Sequence, residues 1–104
     1  MFARIVSVHL KSNMLSDYAR SVEKDILPLL HKQKGFKDEI TLSNPSSLDV
    51  VAISLWESKA NADAYNTNTY PEVLKTFART IDGTPRVQTF EAVTSTFHNV
   101  AVAA

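Results

Sequence analysis

The chain of 104 residues contains no cysteine, which excludes disulfide bonds and zinc sites built on thiolates. Its 11 basic and 11 acidic residues balance, which argues against nucleic acid as the main partner, because phosphate binding needs an excess of positive charge. No apolar run approaches the roughly 20 residues that span a bilayer, and the N-terminus lacks the layout of a secretory signal. We therefore expect a soluble, cytoplasmic domain with no membrane or nucleic-acid partner.

Glycine and histidine are also scarce. Gly35 and Gly83 are the only glycines, and both follow predicted helices, so there is no glycine-rich loop for a phosphate or a dinucleotide. The three histidines, His9, His31 and His98, are far apart, and no pair has the spacing of metal ligands on a helix. No nucleophile elbow occurs. The sequence thus predicts neither a metal site nor a cofactor.

The apolar residues that are present follow clear periodicities. β-branched or alternating apolar segments predict four strands, over residues 2–10, 36–43, 50–57 and 86–97. Apolar residues recurring at steps of three and four predict a helix that ends at Gly35 and two short helical segments over 59–66 and 71–81. Pro28 lies inside the first helix and lacks an N–H donor, so we expect a kink or a tightened last turn there.

This order of elements is ferredoxin-like. It predicts one α+β domain over residues 1–98 with βαββαβ topology and a four-stranded antiparallel sheet, followed by a flexible tail over 99–104. The first and third strands would be central, and both are apolar on two sides. Two helices cover only one face of such a sheet, and an exposed apolar face of that size usually marks an interface. We therefore expect a homodimer joined through the sheet, a dimeric α+β barrel.

A few charged residues fall within or beside the predicted strands. Arg4 has the same parity as Val6 and Val8, so its guanidinium must reach an edge of the sheet or pair with an acid. Glu91 in the last predicted strand is the candidate partner. The acidic residues around the hairpin are expected to face solvent; they are Asp38, Glu39 and Asp49.

Four stretches of the chain resemble the antibiotic biosynthesis monooxygenase (ABM) domain superfamily. They are FARIVSVHLK, ILPLLHKQKGF, VAISLWESKANADAY and TYPEVLKTFARTIDGTP, and together they span nearly the whole chain. The most specific pieces are the tryptophan that ends a strand, followed by Glu-Ser-Lys and Ala-x-Ala-Tyr, and the Pro-Leu-Leu…Gly-Phe run. The resemblance implies ferredoxin-like protomers that pair through their sheets, with a pocket between sheet and helices.

The resemblance implies several activities, which include cofactor-free oxygenation of polycyclic aromatic substrates and haem degradation. The haem-degrading members use a histidine on the second helix as iron ligand. Here no histidine lies between His31 and His98, and Val6 stands where a polar pocket residue would be expected. Haem degradation is therefore not expected.

The remaining expectation is a cofactor-independent monooxygenase acting on a small aromatic or quinol-like compound. Such a protein supplies a dry pocket, orientation and a hydrogen-bond donor or base for an oxyanion. The predicted catalytic residues are Trp56, Asn61 and Tyr65. The predicted substrate-binding residues are Val6, Tyr18, Tyr70 and Phe77.

A second interpretation of the same residues is structural. Trp56 and Tyr65 are large amphipathic side chains, which more often fill a core with their polar ends satisfied. The chain would then be a non-catalytic dimeric domain that binds a small ligand or regulates a partner. An open cavity that touches Trp56 would favour the oxygenase, and an interior filled by side chains would favour the alternative.

Overall fold

The computed structural model describes residues 1–98 and residue 100. The strands are β1 (Phe2–Leu10), β2 (Phe36–Asn44), β3 (Asp49–Trp56) and β4 (Ile81–Glu91). The helices are α1 (Leu15–Ser21), α2 (Leu27–His31), α3 (Lys59–Asn68) and α4 (Tyr70–Phe77), with a π-helical turn over Val22–Ile26 between α1 and α2. The predicted α+β class and ferredoxin-like order are confirmed. Of the predicted tail, all but residue 100 lies outside the described residues.

The four strands form one antiparallel sheet in the order β2-β3-β1-β4. The first and third strands are therefore central, as predicted. Cross-strand partners share a face, so Val6 lies beside Ala52 and Val87, while Ile5 lies beside Ile53 on the opposite face.

One face of the sheet, which we call the covered face, carries all the helices. Leu10, Val50 and Trp56 on this face are at most 1% exposed. They pack against apolar and aromatic residues of the helices, namely Tyr18, Val22, Ile26, Leu30, Ala62, Tyr65, Tyr70, Val73 and Phe77. The hydrophobic core lies between these two layers.

The other face, which we call the open face, has no helix among the described residues. Ile40, Leu42 and Phe90 on this face are 53%, 49% and 51% exposed. Residues 92–98, which follow β4, form a cleft of about 880 Å³ with the open face. Ile40, Ile53 and Leu55 contribute apolar side chains to this cleft. The predicted shortage of helical cover is therefore present in the single chain.

The first helical segment is distorted close to Pro28, as predicted. The proline ring of an interior position clashes with the carbonyl four residues earlier, which here belongs to Lys24 in the π-helical turn. The helix widens there, and the Leu27 N–H donates to the Val22 carbonyl, five residues back. The last turn is also tightened, as predicted, because the N–H groups of Lys32 and Gln33 donate to carbonyls only three residues back, those of Leu29 and Leu30.

The predicted span of the last strand, 86–97, is wrong at both ends. The chain already pairs with β1 at Ile81, and the segment expected only to stop a helix forms a bulge that contains Gly83 at φ +86°. At the other end the Ala92 N–H donates to the Met1 carbonyl at 2.9 Å, and the pairing ends there because β1 begins at Phe2.

The prediction for β2 also needs a correction. A register shift between Phe36 and Asp38 places the Phe36 ring on the covered face, 5.6 Å from the Trp56 ring. Further along the strand, Ile40 pairs with Ile53 and faces the open side, whereas Glu39 pairs with Ser54 and faces the covered side. The single alternation predicted for this strand is therefore wrong.

Candidate functional site

A cavity of about 50 Å³ lies between the covered face and the helices. Most of its walls are apolar; they include Val6, Val8, Tyr18, Val22, Ile26, Leu30, Val73, Leu74, Phe77 and Ile81. Its polar side chains are Arg4, Glu39, Ser54, Tyr65 and Tyr70. Because typical ligand pockets measure about 300–1,000 Å³, a substrate-sized molecule requires side chains of this cavity to move.

Arg4 is the most unusual residue of the cavity, since it is a charged side chain that is only 3% exposed. Its Nη2 donates to Asn66 Oδ1 at 2.8 Å. The guanidinium carbon lies 3.9 Å from the centre of the Tyr70 ring and 5.2 Å from that of Tyr65, in cation–π geometry. Among residues 1–98 and 100 it has no ion pair, so the predicted pairing with Glu91 is absent.

Two buried polar atoms of this cavity have no hydrogen-bond partner within the described residues. They are Nε of Arg4 and the hydroxyl oxygen of Tyr70. The guanidinium lies over the Tyr70 ring, close enough for its charge to oppose the rise that burial causes in the pKa of this phenol. A buried donor without a partner costs about 1–3 kcal/mol, so these two groups give the cavity a defined polar side at a cost in stability.

All three tyrosines of the chain, Tyr18, Tyr65 and Tyr70, line this cavity. Burial raises the pKa of each phenol, and it raises the pKa of Tyr65 to about 12 although the Arg4 charge opposes the shift. At neutral pH they are therefore protonated and act as hydrogen-bond donors with apolar rings.

Glu39 brings a carboxyl group to the same cavity from the edge strand β2. It is half-buried, and burial raises its pKa, while a hydrogen bond at 2.6 Å from the Thr41 hydroxyl lowers it. The expectation that Glu39 faces solvent is wrong, because the polar side of β2 lies on the covered face. A raised pKa makes this carboxylate a stronger proton acceptor than an ordinary glutamate.

Trp56 is completely buried but does not line the cavity. Its Nε1–H donates to Ser54 Oγ at 2.9 Å, and its ring centre lies 5.0 Å from that of Tyr65. Both Ser54 and Tyr65 line the cavity, so Trp56 contacts the cavity wall from behind.

Asn61 lies at the start of α3, where it organises the helix end. Its N–H donates to Ser58 Oγ at 3.2 Å, and its Oδ1 accepts from the same hydroxyl at 2.8 Å. The amide also packs against Gly35, where a Cβ would lie 2.3 Å from Oδ1 and where φ is +80°. Asn61 thus joins the end of the first helical segment to the start of α3, away from the cavity wall.

The structure brings five of the seven predicted site residues to one cavity. Val6, Tyr18, Tyr65, Tyr70 and Phe77 all line it, and the Tyr18 and Phe77 rings stack with centres 4.5 Å apart. Trp56 and Asn61 stand outside it. The periodicity of the sequence did not identify Arg4 or Glu39 as cavity residues. For Arg4 there was one usable signal, namely a charged residue at a position of a central strand where its neighbours of the same parity are apolar.

Within the described part of the chain, no cluster of three or more His, Asp or Glu side chains could hold a metal ion. None of its helices is long and apolar enough to cross a membrane. These two observations concern residues 1–98 and 100 alone.

No protein-family model and no curated protein sequence matches the chain. Solved structures do. A protein of unknown function from Nitrosomonas europaea superposes with a TM-score of 0.76 at 17% identity, covering 90% of each chain. A proposed antibiotic biosynthesis monooxygenase from Bordetella bronchiseptica gives a TM-score of 0.76 at 17% identity, over 89% of this chain and 97% of that one.

A third similar structure is a monooxygenase from Streptomyces coelicolor in complex with nanaomycin D. Its TM-score is 0.70 at 13% identity, over 86% of this chain and 84% of that one. Identities this low establish a shared fold and leave the activity open. The resemblance predicted from the sequence is confirmed at the level of the fold.

Proposed function

We propose, from the premise that this chain has the fold of the antibiotic biosynthesis monooxygenases, that it is a cofactor-independent monooxygenase. The proposed substrate is a small aromatic or quinol-like compound. One observation carries the proposal: the cavity between helices and sheet combines apolar walls and aromatic rings with a half-buried carboxyl group and buried hydrogen-bond donors. Sites of this composition suit a flat apolar molecule with one or two oxygen atoms.

This reaction requires few catalytic groups from the protein, because the substrate itself reduces dioxygen. Loss of a proton from an electron-rich phenol or anthrone gives an anion that can itself reduce dioxygen. For a methylene carbon, one oxygen atom enters as the new carbonyl and the other leaves as water, and the substrate supplies all four electrons. The protein contributes a base, donors for the oxyanion and exclusion of bulk water.

The roles we propose follow from the positions of the side chains. Glu39 takes the proton, and the Tyr65 hydroxyl donates to the developing oxyanion. Val6, Tyr18, Tyr70 and Phe77 hold the apolar part of the substrate. Trp56 packs on Tyr65, and Asn61 fixes the start of the helix that carries Tyr65, so we propose that both position this phenol.

The proposed functional unit is a cytoplasmic homodimer joined through the open face. Half-exposed Ile40, Leu42 and Phe90 and the cleft beside Ile53 support this arrangement, because a second copy would remove their apolar surface from water.

The test is oxygen uptake with a panel of hydroxylated aromatics and quinols, using protein dialysed against a chelator. We expect substrate-dependent uptake without added metal. Glu39→Gln and Tyr65→Phe should each lower kcat by about 10²-fold or more, and Trp56→Phe should lower it less. Glu72→Gln on the exposed surface of α4 is the matched control. Equal rates in wild type and Glu39→Gln would contradict the assignment of the base.

The alternative is a non-catalytic dimeric domain that binds a small ligand or regulates a partner. It is favoured by one specific observation: the cavity is small and does not touch Trp56. This alternative predicts that members of the same panel bind, as measured by calorimetry, without any uptake of oxygen. Trp56→Phe would then change stability and leave binding unchanged.

A further inference from the structure

The position of Arg4 demands an explanation that packing alone does not provide. Arg4 is the third residue of the central strand β1 and lies on the covered face, between the apolar residues Phe2 and Val6. A guanidinium carries five N–H donors and a permanent charge. Burial of such a group is costly unless a counter-charge and hydrogen-bond acceptors accompany it.

Within the described residues, Arg4 has no counter-charge, and its hydrogen-bond donors are only partly satisfied. Asn66 accepts one hydrogen bond, and the rings of Tyr65 and Tyr70 offer their faces. The Nε donor has no partner within the described residues. Glu39 is the acidic residue that lines the same cavity, but its recorded partner is Thr41, and no ion pair joins it to Arg4. The guanidinium therefore presents an uncompensated charge to the cavity.

The second unpartnered group lies next to the first. The Tyr70 hydroxyl has no partner among the described residues, and the Tyr70 side chain is 9% exposed. Its ring is the one that Arg4 contacts most closely, at 3.9 Å. Two neighbouring polar groups of one cavity are thus left without a hydrogen-bond partner within the described residues.

We infer that Arg4 and Tyr70 form a binding site for one anionic oxygen of a small aromatic ligand, a carboxylate or a phenolate. A charged acceptor would satisfy both the Nε–H and the phenol, and it would neutralise the guanidinium. The aromatic body would lie against Val6, Tyr18 and Phe77. The inference deepens the proposed function, since it uses the same cavity, but it requires binding only and no turnover.

The test compares matched pairs of ligands under argon, so that no oxygen chemistry can occur. The pairs are benzoate with benzamide, and 4-nitrophenolate with 4-nitroanisole; each pair keeps the ring and removes the negative charge. Calorimetry should show that at least one anion binds about 10- to 100-fold more tightly than its neutral partner, as charged hydrogen bonds predict. The pair that shows the preference identifies carboxylate or phenolate as the ligand group.

The variants assign the preference to the two residues. Arg4→Met keeps the length of the side chain and should abolish the preference for the anion. Because the arginine has no counter-charge, this variant should melt at the same or a higher temperature than wild type, whereas loss of a structural arginine would lower it. Tyr70→Phe removes only the unpartnered hydroxyl and should weaken binding of the anion several-fold at unchanged melting temperature. Arg20→Met, on the surface of α1, is the control.

The results separate this inference from the proposed function. A preference for the anion in wild type that Arg4→Met or Tyr70→Phe removes supports the site, even where no compound consumes oxygen. If no anion binds more tightly than its neutral partner, or if both variants keep the preference, the inference is wrong. If the wild type consumes oxygen but shows no preference for the anion, the proposed monooxygenase activity is supported and the anion site is wrong.

Discussion

The two faces of the sheet use apolar residues in opposite ways. On the covered face, Leu10 and Val50 are 1% exposed, and helices seal a core that also holds a buried arginine and three tyrosines. On the open face, Ile40 and Leu42 are about half exposed, and no helix of residues 1–98 covers them. The covered face therefore has a well-packed core in which some polar groups lack partners, whereas the open face exposes apolar side chains that a core would bury.

Alkaline pH should destabilise the protein strongly through the three buried phenols of the covered face. Folding raises the pKa of all three above the ordinary value near 10. Above about pH 10 the unfolded chain loses these protons first, so the native state binds more protons and stability falls as pH rises. The fall reaches up to about 1.4 kcal/mol per pH unit for each tyrosine and spans the range from about 10 to 12 for Tyr65.

This prediction is checked by urea unfolding at a series of pH values from about 8 to about 11, together with the ultraviolet absorbance of tyrosinate. We expect no tyrosinate in the native protein before it unfolds. Ionisation near pH 10 with intact circular dichroism would show that the covered face admits water to its phenols.

The next effect compares one leucine from each face. Leu10→Ala should lower the free energy of unfolding by about 2–5 kcal/mol, because it opens a cavity in a sealed core. Leu42→Ala should change it by no more than about 0.5 kcal/mol at concentrations where the chain is monomeric. Denaturant unfolding measures both. A larger, concentration-dependent loss for Leu42→Ala would mean that the open face is covered in solution.

Positive charges introduced on the open face should prevent dimerisation without unfolding the chain. We expect the double variant Ile40→Lys, Leu42→Lys to sediment as a monomer at concentrations where wild type sediments as a dimer, since like charges would face each other across the interface. Ser43→Lys lies on the same strand but on the covered side and is the matched control. If wild type itself sediments as a single subunit at micromolar concentration, the proposed homodimer is wrong.

The smallest effect concerns Glu39, the half-buried acid of the cavity. Its raised pKa means that the folded state prefers the protonated form, so the stability it contributes is present at low pH and is lost as pH rises through the folded pKa. Glu39→Gln should therefore stabilise the protein near neutral pH, by less than about 1 kcal/mol because solvent screens a half-exposed group. In thermal melts, Glu39→Gln should raise the melting temperature relative to wild type more at about pH 7 than at about pH 4. An unchanged melting temperature at both pH values would mean that the Glu39 carboxyl group is exposed to bulk water.

The sequence predicted the order of elements and the central strands well because both depend on local hydrophobic periodicity. Residues 2–10 and 50–57 are apolar at consecutive positions, and such runs are typical of strands buried on both sides. The span of β4 was harder to predict. Its start depends on a bulge around Gly83, and its end depends on where β1 begins, a contact between opposite ends of the chain.

The apolar cavity residues were predictable from the helical pattern and the resemblance, and the polar ones were not. Which side of β2 faces the helices depends on the register shift next to Phe36, so Glu39 could not be placed in the cavity from the sequence pattern. For Arg4 the parity was clear, but its contacts with Asn66 and Tyr70 join parts of the chain that only the fold brings together. The roles predicted for Trp56 and Asn61 remain predictions.

The π-helical turn over Val22–Ile26 has a consequence for the length of this chain. Such a turn holds one residue more than an α-helical turn, so it amounts to a single inserted residue between two regular helices. Deleting one residue there, together with replacing Pro28, would let α1 and α2 fuse into a continuous helix with Tyr18 and Leu30 still directed at the sheet. Relatives that are one residue shorter at this point would thus preserve the same architecture.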